Sequence, residues 1–66
     1  MVQAVERAFA VLEAVSGTAA GVTEIARRVE LPKSTVARLL ATLEDLGAVE
    51  RVHGTRWRLG SRVAAL

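Results

Sequence analysis

Leu31-Pro32-Lys33-Ser34-Thr35-Val36-Ala37-Arg38-Leu39-Leu40-Ala41-Thr42-Leu43-Glu44-Asp45-Leu46-Gly47 is the stretch on which the fold turns. Proline lacks the N–H that a continuing helix needs but suits the first turn of a new one, so Leu31-Pro32 reads as a break. Beyond it, Val36, Leu39, Leu40, Leu43 and Leu46 recur at helical spacing, which predicts a helix over 33–46. Gly47 then ends it in the left-handed conformation. With Val36 at the centre of the inner side and roughly 100° per residue, Ser34, Arg38, Ala41 and Asp45 fall on the opposite side. Thr35, Ala37 and Thr42 lie on the flanks.

Upstream, Gln3 to Ser16 has the pattern of an amphipathic helix, with Val5, Ala8, Phe9, Leu12 and Val15 expected inward and Glu6, Arg7 and Glu13 outward. Ala4 and Val11 widen its apolar arc to roughly 160°, more than one core face needs. Either the core contact is broad or part of the arc is a dimer surface. Gly17-Thr18-Ala19-Ala20-Gly21 reads as a loop of small residues, and Thr23 as the N-cap of a short helix to about Val29 with Ile25, Ala26 and Val29 inward. Downstream the period drops to two. Val49-Glu50-Arg51-Val52 and Arg56-Trp57-Arg58-Leu59 flank the turn former His53-Gly54-Thr55, a two-stranded hairpin expected to rest on the helices through Val49, Trp57 and Leu59. Gly60 closes the strand, and Ser61 is a candidate cap for a last helix over 62–66.

The predicted class is therefore mainly α with a small β-hairpin: a three-helix core, a two-stranded wing and a final helix beginning. Sixty-six residues make a single domain of marginal stability, without a cysteine to staple it or to build a thiolate zinc site. About half the residues are apolar, yet no run is long enough to cross a bilayer, and the N-terminus lacks the basic start of a signal peptide. A soluble, intracellular protein is expected. Net charge is +2, unevenly placed. Up to residue 26, Arg7 is outweighed by Glu6, Glu13 and Glu24. From residue 27 onward, Arg27, Arg28, Lys33, Arg38, Arg51, Arg56, Arg58 and Arg62 outweigh Glu30, Glu44, Asp45 and Glu50. A basic later half favours a polyanionic partner, and a phosphate backbone is the commonest.

Two short helices joined by a tight turn and followed by a hairpin form the winged helix-turn-helix order, in which the second helix enters the major groove with its N-terminal part on the base edges. On that reading Ser34 and Thr35 donate to phosphates or bases, and Arg38 bonds guanine through two N–H groups. Ala37 and Ala41 let the helix sink in, and Asp45 keeps the far end out. Lys33 and the free N–H groups of the first turn form an anion site. The wing, residues 52–57 with His53, Thr55 and Arg56 at its tip, reaches the adjacent minor groove or its phosphates, while Arg27 and Arg28 hold flanking backbone. The candidate DNA-binding set is thus Arg27, Arg28, Lys33, Ser34, Thr35, Ala37, Arg38, Thr42, His53, Thr55 and Arg56.

Val2-Gln3-Ala4-Val5-Glu6-Arg7-Ala8, the Leu31–Leu43 stretch and Trp57-Arg58-Leu59-Gly60 together resemble the N-terminal domain of the isocitrate lyase regulator (IclR) family. The resemblance spans essentially the whole chain, and Leu-Pro-Lys-Ser-Thr-Val with its Arg-Leu-Leu continuation is its specific part. It implies a dimeric bacterial regulator, cytoplasmic and nucleoid-associated, mostly repressing and sometimes activating, that binds double-stranded DNA at palindromic promoter sites. It also implies a separate C-terminal GAF-like domain for a small-molecule effector, often an organic acid or aromatic metabolite, to which nothing in these residues corresponds. Residues 1–60 are then the DNA-binding domain and 61–66 the start of its linker helix. The family's DNA contacts carry over to Ser34, Thr35 and Arg38, supported by Lys33 and the wing. Two departures stand out: Glu30 occupies a turn position where the family usually has glycine, at about 1 kcal/mol for a left-handed backbone, and the wing loop is a residue or so short, with Gly54 but no second glycine.

Other functions find less in the residues. His53 has no cysteine or second histidine to share a metal or a proton relay, and Glu44 and Asp45 diverge on their helix. There is no glycine-rich phosphate loop, so neither catalysis nor a cofactor is expected. Stacking on single strands needs exposed aromatics, and Phe9 and Trp57 both read as inward. The remaining alternative is a winged-helix module for protein–protein contact alone, which would have no use for Lys33, Ser34, Arg38 and Arg56 on one side.

Overall fold

The computed structural model describes residues 2–66; Met1, the first residue of the expected domain, lies outside them. The helix expected after Pro32 forms over Lys33–Asp45 (α3), with Pro32 extended at its N-cap (φ −60°, ψ 147°). Val36, Leu40 and Leu43 are buried and Leu39 partly so, but Leu46 is 51% exposed. The helix ends one residue early, and Leu46 turns outward with the last turn. Gly47 takes φ 76°. Its N–H donates to the Glu44 carbonyl (2.9 Å) and the Ala48 N–H to the Leu43 carbonyl (2.8 Å), the pair of bonds that closes a helix through a left-handed residue.

α2, Val22–Val29, closes similarly without a glycine. Glu30 sits in the left-handed region (φ 58°, ψ 45°), and its N–H and that of Leu31 both donate to the Ala26 carbonyl. The N-terminus of α2 departs from expectation. Gly21, not Thr23, is its N-cap, and Thr23 is exposed without a capping bond. The reason is that Ala20–Gly21 is a strand, β1, rather than loop, so the chain passes straight from strand into helix. β1 pairs antiparallel with β3, Arg56–Leu59, which in turn pairs with β2, Val49–Val52. The wing is therefore two strands of a three-stranded sheet, in the order β1-β3-β2.

α1, Gln3–Ala14, packs on α2 and α3, and its inner side differs from the expected one. Val11 is fully buried, Val15 nearly so, and Ala8 and Leu12 pack against them, while Val5 is 54% and Phe9 62% exposed. On a helical wheel Phe9 lies about 160° from Val11. The apolar arc exceeds what two neighbouring helices cover, and the core takes its Val11 edge. Val11, Val15, Ile25, Val36, Leu40 and Val49 form the fully buried centre, Trp57 closes it under the sheet, and no polar side chain is buried among the described residues. Each of these aliphatic side chains contributes about 1.5–3 kcal/mol relative to exposure.

α4, Ser61–Ala64, begins from Gly60 rather than from a Ser61 side-chain cap. Gly60 is buried against the turn after α3: its N–H donates to the Ala48 carbonyl (2.8 Å), and a Cβ there would overlap the Gly47 carbonyl oxygen and lie 2.9 Å from its carbon. Arg62 adds a bond from Nη1 to the Leu46 carbonyl (3.0 Å).

Candidate nucleic-acid interface

Because Val36, Leu40 and Leu43 are anchored in the core, α3 presents Lys33, Ser34, Ala37, Arg38, Ala41 and Thr42 to solvent, with Thr35 half-buried on one flank. Thirteen residues at about 1.5 Å each give a rod of roughly 20 Å. Its two flanks differ. On one, Ala37 and Ala41 face the wing across a groove completed by Val22, Arg51, Gly54, Thr55 and Trp57. On the other, Thr35, Arg38, Leu39 and Thr42 line a groove whose far wall is Arg7 of α1.

The wing turn is built from unusual backbone. Val52 pairs with Arg56, leaving His53, Gly54 and Thr55 as the loop, with His53 at φ 51° and Gly54 at φ 77°. All three are exposed, and the Thr55 N–H donates to the His53 carbonyl (2.8 Å). Arg56 is exposed as well, yet one of its Nη2 hydrogens goes to the Ala19 carbonyl, which fastens the wing to the chain entering β1.

The cations divide by what they already hold. Arg28 donates from Nη1 to the Ala14 carbonyl (2.8 Å) and from Nη2 to Glu24 Oε2 (3.0 Å), tying α2 to the end of α1. Arg58 meets Glu50 at 2.6 Å across the hairpin. Arg51 lies 4.8 Å above the Trp57 ring centroid with Nε 3.6 Å from Glu44 Oε2. These exposed pairs stabilise little by themselves, typically under about 1 kcal/mol each, but they commit their side chains to the fold. Among the described residues, Arg7, Arg27, Lys33 and Arg38 make no ion pair and no side-chain hydrogen bond.

Of the candidates read from the sequence, Lys33, Ser34, Thr35, Ala37, Arg38 and Thr42 lie along α3 and Thr55 joins Ala37 across one groove. His53, by contrast, lines a depression on the other side of the wing with Ser16, Gly17, Thr18 and Ala19, and Arg56 turns to the Ala19 carbonyl. Arg27 is exposed in the last turn of α2. Arg28, grouped with it, is taken up by Ala14 and Glu24 instead. Phe9 was expected inward and is exposed, while Trp57 is buried as expected. Arg7 and Arg51 are absent from the candidate set because each borders α3 only through the tertiary fold. Among the described residues no group of three His, Asp or Glu side chains is placed to hold a metal, and no helix is long and apolar enough to cross a membrane.

The family model for the IclR helix-turn-helix domain matches residues 4–53. Solved structures with the same fold include an IclR family transcriptional regulator from Brucella abortus, 32% identical with a TM-score of 0.89, covering 98% of this chain and 26% of that one. An IclR homolog from Microbacterium hydrocarbonoxydans, solved in complex with 4-hydroxybenzoate, is 33% identical with a TM-score of 0.85 over 94% of this chain and 27% of its own. The repressor BlcR from Agobacterium tumefaciens is 30% identical, with a TM-score of 0.83 over 98% of this chain and 27% of that one. The chain spans about a quarter of the length of these relatives. No curated protein sequence matches it.

Proposed function

The chain belongs to the IclR family as a DNA-binding, transcription-regulating helix-turn-helix domain, and on that footing we propose that it recognises a specific double-stranded sequence, with α3 in the major groove and the wing on the neighbouring minor groove or its phosphates. One observation carries the proposal: α3 turns Val36, Leu40 and Leu43 inward and leaves Ser34, Ala37, Arg38 and Ala41 outward, and among the described residues neither Lys33 nor Arg38 makes an ion pair or a side-chain hydrogen bond. In these roles Arg38 reads a base, Ser34 and Thr35 contact base edges or backbone, and Ala37 lets the helix approach closely. Thr42 lies further along the same side. Lys33, Arg27 and Arg56 neutralise phosphates, and His53 and Thr55 lie at the wing tip beside them. Arg28 acts at one remove, by fixing α2.

We extend the proposal to a homodimer on a palindromic site. The domain extends 25 × 25 × 20 Å along its principal axes, whereas successive half-sites on one face of a duplex lie about 34 Å apart, so one copy meets one half-site. Val5 and Phe9, exposed on α1, are an apolar surface suited to a second copy. Sedimentation at high concentration should show a dimer that Phe9→Ser weakens; a monomer under all conditions would assign pairing to other parts of the relatives. Residues 1–60 act as the DNA-reading unit and 61–66 as the beginning of a connecting helix. A small organic or aromatic acid is the effector class proposed for the part of the relatives this chain does not span, after the 4-hydroxybenzoate complex of the Microbacterium protein. Repression of a promoter, in the cytoplasm at the nucleoid, is the proposed outcome.

Titration with mixed-sequence duplex at two salt concentrations tests the core of this. DNA binding weakens steeply with salt, with a log–log slope of about −0.9 per phosphate neutralised. A protein-only docking module would show no such slope, and a flat titration would overturn the proposal. Selection from a random duplex pool then supplies the half-site, its spacing and its symmetry.

A further inference from the structure

Arg7 is not among the DNA contacts expected from the sequence, yet it shares a groove with Thr35, Arg38 and Thr42. Its neighbours on α1 give it no counter-charge. One helical turn away stand Gln3, Ala4, Ala10 and Val11, none of them acidic. Glu6 is adjacent in sequence and so points about 100° away, and Glu13 lines a different depression with Ala10, Ala14 and Arg28. Two arginines, Arg7 and Arg38, therefore line one open groove together with Thr35 and Thr42, and none of the described residues that line it carries a carboxylate. Other arginines show that this chain supplies a carboxylate or a carbonyl where a guanidinium serves the fold: Glu24 and Ala14 for Arg28, Glu50 for Arg58, Leu46 for Arg62.

The position of the groove indicates what it takes. A helix about 10–12 Å across, seated in a major groove about 12 Å wide, has a row of phosphates along each flank. The wing, with Arg51, Gly54 and Thr55, serves the flank of α3 that carries Ala37 and Ala41. Arg7 stands on the opposite flank. We propose that Arg7 is a phosphate contact of the DNA interface, binding together with Thr35 the phosphodiester of the strand that borders α3 on the side away from the wing. This rests on α3 being the groove-reading helix, and it adds a contribution from α1: the protein would grip both edges of the groove instead of one.

The test uses the 66-residue chain and its selected duplex, with single uncharged methylphosphonates placed in turn along both strands. In the unmodified protein a penalty appears at phosphates on both edges of the groove. Arg7→Gln keeps most of the aliphatic stem; it should weaken selected and mixed duplexes by the same factor, about tenfold, and make the salt slope shallower by about 0.9. It should also erase the penalty at one phosphate on the edge away from the wing and leave the others intact. Arg7→Lys should restore the slope. Unfolding melts of both variants should match the parent, and the scan on the unmodified protein reads the contact without any substitution. If Arg7→Gln binds with parental slope and the scan shows no penalty on that edge, Arg7 is only a solvated side chain, while steep salt dependence of the parent would still uphold α3. A parent that shows no salt-dependent duplex binding would sink both proposals.

Discussion

Replacing Glu30 by glycine should stabilise the protein, although it deletes a side chain and adds no contact. Glu30 is held at φ 58°, ψ 45° so that its own N–H and that of Leu31 can reach the Ala26 carbonyl and turn the chain toward α3. An L-residue in that region costs roughly 1–2 kcal/mol because Cβ crowds the following carbonyl. The carboxylate recovers none of this, being exposed and, among the described residues, without an ion-pair partner. Glycine removes the crowding but enlarges the freedom of the unfolded chain, worth about 0.4–1 kcal/mol in the other direction. The balance is a gain of about 0.5–1 kcal/mol, or about 3–6 °C in Tm for a domain of this size. Urea unfolding followed by circular dichroism would read it as a shifted midpoint with the slope unchanged. Glu30→Ala is the control, since it removes the charge and keeps the Cβ. Equal gains from the two variants would mean that charge, not backbone, is responsible. A loss from Glu30→Gly would refute the strain argument outright. The turn after α3 supplies the reverse case: Gly47→Ala, at φ 76°, should lose about as much as Glu30→Gly gains.

Arg38→Ala should cost about 1–3 kcal/mol of binding at one base position and relax preference there; uniform weakening across sequences would make Arg38 a phosphate contact instead. Arg56→Ala should weaken all duplexes alike and reduce the salt slope by about one unit, and an unchanged slope would take the wing out of the interface. Gly60→Ala should destabilise by about 3 kcal/mol or more, since the new methyl meets backbone that has no rotamer to yield. That is a large share of the roughly 3–10 kcal/mol available to a domain of this length, and a melt within a few degrees of the parent would show that the crossing of the two glycines can open cheaply.

What could be read in advance depended on how local each signal is. The Val36, Leu40, Leu43 stripe, the Pro32 break and the Gly47 stop are written within one helix, so α3 and its outward side chains were legible before any coordinates. Ala20–Gly21 was not, because two small residues become a strand only when Arg56 and Trp57 arrive as partners. The side of α1 that the core uses was ambiguous for a related reason. An arc of about 160° fixes no single inner edge, and the choice of Val11 over Phe9 is made by α2 and α3. The set of candidate DNA contacts was visible along α3 and on the wing, since both are continuous in sequence. Arg28's bonds to Ala14 and Glu24 and Arg7's place beside Arg38 needed the helices assembled first.

The glycine crossing at Gly47 and Gly60 has a mechanical consequence. Where the chain leaves the sheet for α4, main chain rests directly on main chain at the foot of α3, pinned by the Gly60 N–H on Ala48 and by Arg62 on Leu46. No side chain lies between them to compress or swivel, so a displacement of α4 would press directly on the backbone at the end of α3. The amides of Ala48 and Gly60, one on each side of the joint, should accordingly show the same opening free energy in hydrogen exchange, as parts of one opening unit.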